Sequence, residues 1–154
     1  MNAAVLLLAL ILVPSPAPMP SPSPTVNAVI TNTGSTNMAG YRIEVAPDGH
    51  AQVTQGVGTR SVTIPVKLAT QLYTDLAAAG PLDALPTQPC MKSASFGSRT
   101  TLAYKTKTSA DLQCGQLSPA GRALAADVAA ITEAAAVHPA RRMTLPVMRR
   151  PDAS

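Results

Sequence analysis

The chain of 154 residues has room for one domain and not for two. Hydrophobic residues make up 46% of it, but there is no Trp, one Phe and three Tyr; an aromatic-rich core is excluded, and a small aliphatic one gains from a covalent staple. The formal charge of +4 does not describe a basic domain, because residues 25–140 carry eight basic against seven acidic side chains and the excess sits in Arg141, Arg142, Arg149 and Arg150 against Asp152. Four arginines without interleaved aromatics make nucleic-acid binding a poor expectation.

Taken in chain order, Ala3 to Val13 is an uninterrupted apolar run of 11 residues. It is well short of the roughly 20 that span a bilayer, and it reads as the apolar region of a signal peptide, or as an anchor if it is retained. The region before it has no Lys or Arg, and its best small-residue site, Ser15-Pro16-Ala17, is followed by Pro18. Residues 1–17 are therefore read as signal peptide or anchor, and Ala3 to Val13 is the one segment expected to meet a membrane, if uncleaved. From Pro14 to Pro24 every second residue is proline, which fixes φ and removes backbone donors. Residues 18–25 are read as an extended polyproline linker.

A single α+β domain is expected over residues 26–139. Ala28 to Asn32 is a short β-like run, and Thr31 to Asn37 (TNTGSTN) has the composition of a loop. Tyr41, Ile43 and Val45 alternate with Arg42, Glu44 and Ala46, and Pro47-Asp48-Gly49-His50 supplies a turn; a β-hairpin over Tyr41 to Gln55 follows. A further strand is expected at Ser61 to Ile64, after a connecting turn at Gly56 to Thr59. Pro65 can open a helix, whose apolar stripe is Val66, Ala69, Leu72, Tyr73 and Leu76 and which Gly80-Pro81 ends.

Met91 to Phe96 and Thr100 to Thr106 read as two more strands, with lysines guarding an edge at Thr100 to Ser109. Ser118 is an N-cap, Pro119 sits at the next position, and Leu124, Val128, Ile131 and Ala135 form one face of a last helix that ends at His138-Pro139. The order β-β-β-α-β-β-α predicts an antiparallel sheet of about five strands covered by two helices. Disordered termini flank it, the last being the basic tail at 140–154.

Cys90 and Cys114 are the only cysteines. Behind an export run, an even count predicts a disulfide; a redox pair would want C-x-x-C and a metal site more ligands. His50 and His138 are the only histidines, and a turn and a helix end explain them without catalysis. No G-x-S-x-G elbow surrounds a serine. Gly56-Val57-Gly58-Thr59 lacks the Lys-Ser/Thr of a phosphate loop. No two of Glu44, Asp48, Asp75, Asp127 and Glu133 form an evident acid pair. No catalytic residue, cofactor or metal is therefore expected. The expected ligand surface is the polar loop, with Thr31, Asn32, Thr33, Ser35, Thr36 and Asn37 offering hydroxyls and amides.

The export run, ITNTGSTN, GYRIEVAPDG, a helix, and DLQC leading into an alanine-rich helix together resemble exported bacterial proteins of unknown function, over about residues 29–136. The resemblance implies a periplasmic or secreted α+β protein and carries over no site. The expected function is a non-enzymatic interaction domain of the envelope or exterior, with an unknown protein or envelope component as partner. The alternative is a small periplasmic hydrolase or hydrolase inhibitor.

Overall fold

The computed structural model describes residues 26–88, 90–93 and 97–137. The expectations for the signal segment, the linker, His138 and the basic tail lie outside them. The fold is α+β, and its chain order is β1 (Ala28–Asn32), β2 (Tyr41–Val45), β3 (His50–Gln55), β4 (Gly58–Thr63), α1 (Val66–Ala79), a 3-10 turn at Leu82–Ala84, β5 (Thr100–Tyr104), β6 (Lys107–Thr108) and α2 (Pro119–Ala134). The strands form one antiparallel sheet in the order β4-β3-β2-β1-β5-β6.

Period-two patterning decides which side of the sheet is covered. Ala28, Ile30, Ile43, Val45, Ala51, Val53 and Leu102 point to one side and are buried beneath Ala69, Leu72 and Leu76 of α1 and Leu124, Val128 and Ile131 of α2. The other side carries the register row Thr101, Thr31, Arg42, Thr54, Thr59. Such rows face water in antiparallel sheets covered on one side. Tyr73 fastens α1 to the sheet: its hydroxyl accepts from the Ala28 amide at 2.9 Å and donates to the Val45 carbonyl at 2.7 Å. Its ring meets Tyr104 edge-on, with centroids 5.5 Å apart.

The β-like run Ala28–Asn32 is a strand at the middle of the sheet, because β2 and β5 both pair with it, and the sheet has six strands. Three expectations are corrected. The strand expected at Met91 to Phe96 is absent from its described residues, where Met91 to Ser93 carry no ladder; the crosslink and an ion pair hold them instead. The strand expected to run to Thr106 stops at Tyr104, since Lys105 takes a positive φ of 55° and starts a two-residue turn into β6. Val66, placed on the apolar stripe, is 57% exposed in the first turn of α1, where Pro65 is the N-cap rather than the first helical residue. At α2 the expected cap is present, with Ser118 Oγ accepting from the Gly121 amide at 3.1 Å.

Candidate functional site

The polar loop is built more tightly than its composition implies. Thr31 and Asn32 belong to β1, and Asn32 is buried: its Nδ2 donates to Thr100 Oγ1 and its Oδ1 accepts from the Gly34 amide, both at 2.8 Å. Burial of a side-chain amide is tolerated when its polar atoms are satisfied in this way. Gly34, at φ 67°, and Gly40 close the neck; a Cβ on Gly34 would stand 2.4 Å from the Gly40 nitrogen. Ser35 and Met38 bond reciprocally through their backbones at 2.9 and 3.3 Å, leaving Thr36 and Asn37 exposed at the tip. Thr33 exchanges a backbone bond with Arg99, and its Oγ1 accepts from the Arg99 amide, both at 3.0 Å. Of the six expected ligand residues, then, Thr31 and Asn32 are strand, Thr33 and Ser35 hold the loop together, and Thr36 and Asn37 face outward.

Arg99 joins this loop to a second feature. Cys90 and Cys114 lie with Cα atoms 5.5 Å apart, a separation that fits a disulfide. Two further ties draw the segment after the 3-10 turn onto the segment before α2: a bridge between Thr87 and Leu117, and the close approach of Gly115, at φ 69°, to the Gln88 carbonyl. Lys92 is anchored beside them, with Nζ 2.7 Å from the Ser98 carbonyl and 2.7 Å from Asp111 Oδ2. Asp111 Oδ1 accepts from the amides of Thr100 and Gln113, each at 3.0 Å. Burial alone would raise the Asp111 pKa, but Lys92 and these two amides outweigh it and hold the carboxyl below its ordinary value.

Between the crosslink and Arg99 lies a cleft of about 400 Å³, with Lys92, Thr101 and Asp111 in its wall. Because Lys92 is paired with Asp111, the cation left over there is Arg99. It is exposed, and among the described residues no acid pairs with its guanidinium. Met91, next in the chain to the cleft-lining Cys90 and Lys92, is fully exposed at 103%. It lies between a covalent anchor at Cys90 and an ionic one at Lys92.

His50 is the first residue of β3 rather than a turn residue, and it is exposed. It lines a hollow of about 250 Å³ on the open face with Glu44, Gln52 and Ser61. The residue types of a triad thus share one surface, yet no hydrogen bond among the described residues joins the His50 ring to Glu44 or Ser61. Glu44 is held instead by Arg42 Nε at 3.1 Å, and Asp48 accepts from the His50 backbone amide at 3.0 Å. The nucleophile–base contact that defines such a site is missing.

One acid pair escaped the sequence reading. Asp75 on α1 and Asp127 on α2 meet at the helix seam, and Asp127 is raised to about 6 by burial first, then by its hydrogen bond with Asp75 and by that neighbour's charge. The available signal was that each acid sits next to a buried stripe residue, Leu76 or Val128. Only the crossing of the two helices makes them neighbours. The pair belongs to this seam and not to the cleft, whose lining is drawn from other segments.

No protein-family model, curated protein or solved structure matches the chain. The crosslink fits an oxidising compartment. Among the described residues no helix is long and apolar enough to cross a membrane.

Proposed function

We propose that this chain is a periplasmic or secreted, non-enzymatic interaction domain, akin to the exported bacterial proteins its sequence resembles, and that it presents the surface around the Cys90–Cys114 crosslink to a protein or envelope component. The observation that carries this reading is Met91, an apolar side chain fully exposed on backbone anchored at both neighbours. Large apolar groups held rigidly in water are what interfaces use as anchors, because little ordering entropy remains to be lost on binding. The loop tip at Thr36 and Asn37 and the exposed Arg99 supply the polar rim. A photo-crosslinking residue placed at Met91 in exported protein should give one adduct of defined mass, whereas the same residue at Thr106 should not. Equal labelling from both positions, or none from Met91, would count against this surface. Intact mass with thiol alkylation tests the compartment: a product beginning near the proline linker with unreactive cysteines supports export, and two free thiols oppose it.

A second reading, a hydrolase inhibitor, is favoured by the same side chain. An exposed residue on a crosslinked loop can enter the primary pocket of a serine endopeptidase while the anchored backbone resists cleavage. Inhibition of a chymotrypsin- or subtilisin-type enzyme that M91K transfers to a trypsin-type enzyme would favour it. Rapid cleavage of the oxidised chain after Met91 would end it.

A further inference from the structure

The two rims of the sheet are finished differently, and the β4 rim points to a second copy of this chain. β4 spans Gly58–Thr63, pairs with β3 on one side, and has no partner strand on the other among the described residues. Open edges are ordinarily blunted by proline, lysine, a bulge or a covering element. β4 has no proline and no lysine, and its pairing with β3 runs without a break from Gly58 to Thr63. Its one charge, Arg60, does not stand guard: the guanidinium donates to the carbonyls of Ala135 at 2.6 Å and Ala136 at 3.1 Å, at the end of α2.

We propose that β4 pairs antiparallel with β4 of a second copy across a two-fold axis perpendicular to the sheet, giving one continuous sheet through both chains. This is the isologous form of strand addition. The register follows from the side-chain faces. Opposite Val53 and Ala51 stand Arg60 and Val62, so Gly58, Arg60 and Val62 face the helices, while Thr59, Ser61 and Thr63 face the open side.

In antiparallel pairing, directly opposed residues share a face, so the axis must pass midway between one residue and its own copy. The longest ladders centre on Arg60 or on Ser61. Centring on Arg60 sets two guanidiniums against each other, which is unfavourable. Centring on Ser61 sets Ser61 against its own copy, Arg60 against Val62 and Thr59 against Thr63, with no like charges opposed. An interface of one strand pair is small, and the expected dissociation constant is on the order of 10 to 100 µM.

The test uses the full chain in sedimentation velocity over a concentration series spanning that value, with S61K, S61E and their equimolar mixture. Ser61 is exposed on the open face, and circular dichroism checks that each variant folds. Wild type should dimerise, each variant alone should associate at least about tenfold more weakly because like charges meet at the axis, and the mixture should recover a heterodimer. A wild type that stays monomeric throughout overturns the proposal, whether the edge is covered by another part of this chain or left open. So does a dimer that S61K and S61E leave unchanged, or a mixture that recovers nothing.

Discussion

At one rim of the sheet β6 is two residues long and opens on Lys107, two residues after Lys105, with the Leu82–Ala84 turn packed against it and Lys107 Nζ 2.6 Å from Asp83 Oδ2. At the other, β4 runs six residues with Arg60 turned inward. The reinforcement is also unequal: the crosslink and the Lys92–Asp111 pair brace the segments that flank β5 and β6, whereas β4 is held by its hairpin and by Arg60. Among the described residues, one edge is closed with charge, cover and covalent restraint, and the other is left regular. Regular open edges are where sheets recruit strands.

Removing the restraint should have the largest effect. Closing a loop with a sequence separation of 24 stabilises by about 3 kcal/mol through the unfolded state. C90A/C114A should lose about that much in urea melts, and hydrogen exchange should quicken in β5 and β6 before β3 and β4. Uniform quickening would mean that the crosslink does not act on one rim.

Asn32 comes next, because it binds the middle of the sheet to the braced side through Thr100 and sets the loop neck through Gly34. N32A leaves buried polar groups without partners and should cost about 2 kcal/mol. The same variant should release the Thr36–Asn37 tip, visible as faster exchange at Gly34. At the β4 rim R60A is the counterpart. It removes donors from the carbonyls at the end of α2 and should cost about 1 to 2 kcal/mol, with faster exchange in the last turn of α2 and little change in β6.

Much of this fold could be read in the sequence, where period and punctuation coincide. Tyr41 to Gln55 alternates around a Pro-Asp-Gly turn, and the stripes Ala69, Leu72, Leu76 and Leu124, Val128, Ile131 recur at helical spacing. The central place of Ala28–Asn32 is not legible there, because it is fixed by pairing with β2 and β5, residues far along the chain, and five residues carry too little pattern to announce it. Asn32 looked like loop for the same reason: a polar side chain is read as exposed, while here Thr100 and Gly34 supply its partners. The candidate surface was half legible. The cysteines are evident, but the exposure of Met91 and the pairing of Lys92 with Asp111 rather than of Arg99 are set by the folded neighbours, and no local spacing encodes them.

The helix seam offers the smallest effect and a control for the comparison. Asp127 has a folded pKa of about 6, against an ordinary value of 3.8, through burial and its Asp75 neighbour. Since the folded state then holds the proton more tightly than the unfolded chain, the stability this gives is complete below the ordinary value and is lost as pH rises through about 6. Above that pH the ionised Asp127 is a net cost, reduced to about 1 kcal/mol by solvent screening at this half-buried position. D127N should therefore be more stable than wild type at pH 7 by about that amount, and its urea midpoint should lose the slope that wild type shows between about pH 4 and 6. Because α1 and α2 pack together on the buried face of the sheet, raising the pH should weaken exchange protection in β4 and β6 together. If D127N keeps the wild-type slope, another group titrates there; if the two rims respond differently to pH, the helix layer is not their shared support.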